Sequence, residues 1–319
     1  MTCYYPIHGW RTRERNENNK KTFTTNHKDG DHDLPLTIPC GQCVGCRLEH
    51  SRQWAVRCYH EASLHDDNCF ITLTYNDDHI PLNGSLKLED FQLFMKRLRK
   101  KYAPKKIRFF HCGEYGDQSF RPHYHALLFG HDFSDKKHYQ TSNGHRLYKS
   151  DSLDDLWSHP VTKNFMGDCL IGNLTFDSAA YCARYIMKKV TGEKSHDYYD
   201  GLQPEYATMS RRPGIGSDWL TKYHSDIYPT DSLVINGTET SSIPYYDLQY
   251  VSLIQSLPPP SLKDLDNRIQ MLQELPQLLP KIKGARLRNA KKSVDFGNEW
   301  RLKTKEQVKL AQIKSLTRD

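Results

Sequence analysis

Two histidines, His123 and His125, stand two apart in the run His-Tyr-His-Ala-Leu-Leu-Phe, whose content predicts a strand over His123–Gly130. Side chains alternate faces along a strand, so both imidazoles point one way and Tyr124 points the other. Such a pair can share one metal ion, although a chain with 16 histidines also contains such pairs as plain surface or core residues. Glu114 lies nine residues earlier, at the end of another predicted strand (Lys106–Cys112), where an antiparallel neighbour would bring its carboxylate beside the imidazoles. Two imidazoles and one carboxylate suit Mg²⁺ or Mn²⁺ near a phosphate, because they leave coordination positions open for substrate oxygens. A closed zinc site would need a fourth protein ligand, and none stands close by in sequence.

The stretch Ala-Ala-Tyr-Cys-Ala-Arg-Tyr-Ile-Met-Lys-Lys-Val reads as a helix over Ser178–Val190, with Asp177 or Ser178 as N-cap and Gly192 just past its end. Tyr181 and Tyr185, four apart, share one face, with Arg184 and Lys188 in a parallel row and Cys182, Ile186 and Val190 in an apolar row that can pack on a sheet. On their own, the tyrosines are equally readable as packing residues with wet hydroxyls. Beside a metal site they acquire a chemical reading, since a tyrosine can attack a phosphate polarised by a metal and a neighbouring cation. A third group, Cys40, Cys43 and Cys46, has spacing suited to zinc, with Cys3, His50 or Cys58 as candidate fourth ligand. Three reduced thiols in a tight loop are the alternative.

The elements that must position these groups alternate from Cys40 to about residue 220. A helix is predicted over Leu48–Leu64 and a strand over Cys69–Tyr75. Over Leu88–Tyr102, Leu88, Phe91, Phe94, Met95, Leu98 and Tyr102 make one buried helical face, with Lys96, Arg97, Arg99, Lys100 and Lys101 opposite. A further strand is predicted over Asp168–Phe176. Strands separated by turn-rich loops and interleaved with single helices predict an α+β domain, an antiparallel sheet with helices packed on it. The expected organisation is an irregular segment 1–39, a catalytic domain 40–228 opening on the cysteine cluster, a linker 229–260 ending in Pro258, Pro259 and Pro260, and a basic, partly helical extension 261–319. Within that extension Leu262, Leu265, Ile269 and Leu272 fall on one helical stripe.

Composition bounds the function. A mean hydropathy of −0.77 and the lack of any apolar run near the ~20 residues needed to cross a bilayer exclude a membrane-spanning reading. Nine cysteines and no apolar leader point to a reducing cytoplasm. The net charge of +7 is uneven: residues 281–319 carry 12 Lys/Arg against 4 Asp/Glu, which leaves the remainder close to neutral. A basic tail suits attraction to nucleic-acid phosphates and equally suits a plain solvated tail.

Taken in order, the strand Phe-Ile-Thr-Leu-Thr-Tyr, the motif Arg-Pro-His-Tyr-His and the helix Tyr-Cys-Ala-Arg-Tyr-Ile-Met-Lys-Lys resemble the HUH endonucleases, with the histidines before the tyrosines as in replication initiators. Pro-Cys-Gly-Gln-Cys-Val-Gly-Cys-Arg, Cys-Gly-Glu-Tyr-Gly before the histidine motif, the paired tyrosines and Ser-Arg-Arg-Pro-Gly-Ile-Gly at 210–216 are similar to the rolling-circle initiators of the Microviridae, of the gokushovirus type. The resemblance covers roughly residues 38–220. It implies an HUH-like α+β fold with His123, His125 and Glu114 as ligands of a catalytic Mg²⁺ or Mn²⁺, and Tyr181 and Tyr185 as alternating nucleophiles. It also implies Lys188, and with it Arg184, beside the tyrosines; the family keeps a lysine at both places, and Arg184 departs from that.

The implied activity is nicking of single-stranded DNA at a phage origin through a 5′-phosphotyrosine, followed by rejoining, in the cytoplasm of a host bacterium. Host helicase and polymerase are the implied partners, because the sequence contains no G-x-x-x-x-G-K-[ST] motif. A structural Zn²⁺ at the cysteines accompanies this reading. Two other classes compete with it: a zinc-stabilised DNA-binding regulator without catalysis, and a His-x-His metallohydrolase. The latter is weakened by Ala126, Leu127 and Leu128 where an Asp-His continuation would stand.

Overall fold

The N-terminal residues form strands where none is expected. In the computed structural model, which describes residues 3–116, 119–142, 144–188, 194–228, 230–256 and 299–316, strands β1 (Ile7–Thr12), β2 (Phe23–Thr24) and β3 (Gly30–Ile38) make an antiparallel sheet ordered β2-β1-β3. The irregular reading of 1–39 is thereby corrected. These strands expose most side chains on both faces, so the apolar alternation that marks a half-buried strand is missing from their sequence. Helix α1 (Val44–Ala62) follows, starting four residues before its predicted beginning. The chain divides into two units, Met1–His50 with Lys283–Asp319, and Ser51–Ile282.

The second unit contains β4 (Asn68–Leu73), α2 (Leu88–Lys101), β5 (Arg108–Tyr115), β6 (Pro122–Phe129), β7 (Lys137–Ser142), β8 (His145–Lys149), α3 (Asp151–Leu156), β9 (Cys169–Asn173), α4 (Phe176–Lys188), α5 (Lys194–Tyr199) and β10 (Tyr206–Met209). Its seven strands form one antiparallel sheet ordered β10-β5-β6-β4-β9-β8-β7, an α+β architecture consistent with an HUH-like fold. Helices cover both faces of the central strands, which is why β5 and β6 read as nearly unbroken apolar runs. On one face Ile71, Leu73, Tyr124, Ala126 and Leu128 meet Phe91, Phe94, Met95 and Leu98 of α2. On the other, Phe110, Cys112, Leu127 and Phe129 meet Ala55 and Cys58 of α1 and Ala179 and Cys182 of α4. Each fully buried aromatic in these layers contributes about 1.5–3 kcal/mol. Two cations on the polar side of α2 are clamps: Arg97 donates to the Leu156 carbonyl and Arg99 to that of Ile107.

Helix α4 starts two residues before its predicted beginning, and its cap is Thr175. The Thr175 hydroxyl accepts from the Ser178 N–H (3.1 Å) while the Ser178 hydroxyl accepts from the Thr175 N–H (2.8 Å), a reciprocal pair that satisfies two amides at once. Residues 189–193, including Val190 and Gly192, lie outside the described residues.

The expected linker 229–260 is structured over most of its length. After α6 (Ser217–Ile227) come the hairpin β11 (Ser232–Ile235) and β12 (Thr238–Ser241) and helix α7 (Pro244–Ser256). Leu220, Ile227, Leu233, Ile235, Ile243 and Tyr246 form a further core with Val56 of α1. The proline run and the 262–272 stripe lie outside the described residues, whereas α8 (Glu299–Leu316) is helical as the C-terminal extension was expected to be in part. Among the described residues no helix is long and apolar enough to cross a membrane.

Candidate active site

The hairpin register aligns the predicted ligands. Glu114 of β5 pairs with His123 of β6, and Cys112 with His125, so Glu114, His123 and His125 emerge on one face at the same end of the sheet. Both imidazole Nε2 atoms come to 2.8 Å from the same oxygen, Glu114 Oε1. Burial would raise the Glu114 carboxyl, but hydrogen bonding and charge from His123 and His125 hold it down to about 2. His123 stands at the lip, with 19% of its side chain exposed, while His125 and Glu114 are buried beneath it.

The outer ring nitrogens are also engaged. His123 Nδ1 lies 3.1 Å from the Arg121 carbonyl, which only accepts, so Nδ1 carries a proton and the neutral ring turns its Nε2 lone pair inward. That lone pair faces a carboxylate oxygen, an arrangement that a shared cation relieves; the donor set therefore fits a divalent metal. His125 Nδ1 lies 3.0 Å from the hydroxyl of Thr72, its register partner on β4, and the Phe70 ring stacks parallel to His125 at 5.4 Å. Thr72, Phe70 and the Arg121 carbonyl complete a supporting shell.

Helix α4 brings Tyr181 over this face. Its ring meets that of His125 edge-on at 5.4 Å and that of Phe70 at 6.1 Å. The Tyr181 side chain is 38% exposed, so an incoming strand can reach it, and the Arg184 guanidinium lies 5.8 Å from its ring centre. Cys182, one position on, anchors the helix against the sheet, 3.6 Å from Cys112. Tyr185 and Lys188 belong to the same helix, one turn and nearly two turns beyond Tyr181; their side chains lie outside the described residues. Tyr124, between the two histidines, is on the far face, buried against Tyr75 and bonded to both backbone groups of Lys87. Burial pushes its hydroxyl up to about 12, so Tyr124 has a packing role.

The motif at 210–216 is architectural. Gly216 donates to Glu61 of α1 (2.8 Å), the Ile215 carbonyl accepts from Arg57 (2.9 Å), and the Pro213 carbonyl accepts from Arg108 (2.8 Å). In the first unit, Cys40, Cys43 and Cys46 gather with Cys3, which joins them from ahead of β1. Of the other candidate fourth ligands, Cys58 is buried in the sheet–helix core of the second unit, and His50 is exposed and outside the cluster.

A family model for replication-associated proteins of the ORF2 type matches residues 68–190, the stretch from β4 through the described part of α4. Replication-associated protein VP4 of Bdellovibrio phage phiMH2K is 38% identical over 221 residues, 66% of each chain. Replication-associated protein ORF2 of Spiroplasma virus 4 is 34% identical over 224 residues, again 66% of each. Replication-associated protein ORF4 of Chlamydia phage 1 is 30% identical over 221 residues, 66% of this chain and 53% of the relative. The matched region thus spans about two thirds of the first two relatives and about half of the third. No solved structure is significantly similar.

Proposed function

Since this chain belongs to the phage replication-associated proteins of the Microviridae type, we propose that it starts rolling-circle replication by nicking single-stranded origin DNA through a tyrosine. The observation that carries this reading is the convergence of both imidazole Nε2 atoms on one carboxylate oxygen beneath an exposed tyrosine. A bound Mg²⁺ or Mn²⁺ would polarise the scissile phosphate and offset its developing charge.

The protein's own residues do the rest. Glu114, His123 and His125 hold the ion on a rigid sheet, with the ring of His125 fixed by Thr72 and Phe70. The Tyr181 oxygen attacks phosphorus in line; the bond to the 3′-oxygen breaks, the phenol proton passes to solvent, and a 5′-phosphotyrosine and a free 3′-hydroxyl result. Arg184 stabilises negative charge on the phenol side of the reaction. The covalent link conserves the phosphodiester energy while a host polymerase extends the 3′-end and a host helicase unwinds ahead. Tyr185, one turn along α4 with Lys188 close by in sequence, serves as the second nucleophile when the origin is regenerated. Attack of the released 3′-hydroxyl on the first phosphotyrosine then closes the circle. The setting is the infected host cell.

His123→Ala tests the reading with least risk to the fold, because this ligand sits at the lip. Nicking of single-stranded origin DNA in Mn²⁺ should disappear while DNA affinity stays within a few-fold, since backbone phosphate contacts elsewhere supply most binding. Equal loss of nicking and binding would make the cluster structural.

A further inference from the structure

The thiols of the first unit have the spacing of a filled coordination shell. Cys3 Sγ lies 3.6 Å from Cys40 Sγ and 3.9 Å from Cys43 Sγ, and Cys40 Sγ lies 3.9 Å from Cys46 Sγ. Four thiolates held tetrahedrally at ~2.3 Å from one ion are separated by ~3.8 Å along each edge. A disulfide would instead bring two sulfurs to ~2.05 Å and leave the other two apart. A polynuclear iron–sulfur cluster, with one cysteine on each iron, would need wider separations.

The backbone supports charge on the sulfurs. N–H groups of Cys40, Cys43 and Tyr4 point at Sγ of Cys3, Cys40 and Cys43, each at 3.3 Å. Such donors favour thiolate over thiol. Cys46 lies in the first turn of α1, where the helix dipole also favours negative charge.

The unit has little else to hold it. Among its described residues only Cys43 and Leu302 are buried apolar side chains, and β1–β3 are largely exposed. A unit with so small a core needs a metal or another cross-link to fold. Soft thiolates select zinc, and four of them leave no position for substrate, unlike the harder Glu114–His123–His125 set.

We propose that Cys3, Cys40, Cys43 and Cys46 bind one Zn²⁺ in a closed, structural site. The ion pins the residues ahead of β1, the loop after β3 and the first turn of α1 to one another, and takes no part in DNA chemistry. This assignment stands whether or not the protein is a nickase.

The test uses the full-length protein, purified under reducing conditions without added metal. Atomic emission should find about one zinc per chain. Exchange with Co²⁺ should give thiolate-to-cobalt charge transfer and tetrahedral d–d absorption. Cys3→Ser should lose zinc on dialysis and weaken those bands. Chelation of the wild type should expose residues 3–50 to protease while residues 51–256 stay protected. A metal-free wild-type protein with four titratable thiols or a mapped disulfide, or a Cys3→Ser variant that keeps its zinc and an unaltered cobalt spectrum, would overturn the assignment. The wild-type cobalt spectrum decides the matter even if the variant fails to fold.

Discussion

Replacing Thr72 by valine isolates the hydrogen bond that orients a ligand without touching the ligand. The Thr72 hydroxyl is 3.0 Å from His125 Nδ1, and His125 Nε2 is 2.8 Å from Glu114. Valine keeps the volume and the β-branched shape that a strand accepts, and the parallel Phe70 ring still holds the imidazole by packing. What changes is the fixed tautomer and ring angle. Loss of such an outer partner typically weakens metal affinity 10–100-fold, about 1.4–2.7 kcal/mol. Calorimetric titration with Mn²⁺, or nicking rate against Mn²⁺ concentration, should show a midpoint raised by that factor with the maximal rate recovered to within a few-fold at saturation. An unchanged midpoint would refute the orienting role, and nicking lost at every metal concentration would assign Thr72 some other part.

Two further outcomes concern stability. Gly216 has φ +78°, and a Cβ there would lie 2.9 Å from the Tyr246 hydroxyl and 3.2 Å from the Arg57 carbonyl, so Gly216→Ala should cost about 1–3 kcal/mol and lower the Tm with nicking per folded molecule preserved. An unshifted Tm would show that the 210–216 turn relaxes freely. Burial depresses His60 to about 3; burial, followed by the charge of Lys105, depresses His131 to about 4. Both rings stay neutral in the fold while the unfolded chain binds protons below its ordinary pKa of 6.5. Stability should therefore be full above about pH 6.5 and fall toward pH 4, on the order of 3 kcal/mol per histidine. Urea unfolding at pH 7.5 and pH 5 checks this, and a flat profile would contradict it.

The part of the site that was legible in the sequence is the part set by local rules. Strand alternation puts His123 and His125 on one side, and a short hairpin brings Glu114 opposite His123. Helical spacing relates Tyr181 to Arg184 and Cys182 in the same way. Thr72 and Phe70 were not legible, because their approach to His125 depends on β4 lying next to β6, a sheet order that no local pattern encodes. Cys3 entered only as one of three possible fourth ligands, since its meeting with Cys40 requires β1 and β3 to pair across 37 residues. The hairpin at 232–241 did carry a signal: Asn236-Gly237, both at positive φ, is the turn that joins two short strands. The prolines downstream and the polar flanks hid it.

The central claim, that a tyrosine of α4 becomes joined to DNA, is tested most directly by mapping the linkage. Full-length protein is incubated with single-stranded origin DNA and Mn²⁺, denatured and digested, and the DNA-bearing peptide is identified by mass spectrometry. The expected result is a 5′-phosphate ester on Tyr181 or Tyr185, retained in either Tyr→Phe single variant and absent from the double variant. Strand cleavage that persists in the double variant, or wild-type protein that cleaves DNA with no adduct, would contradict the account.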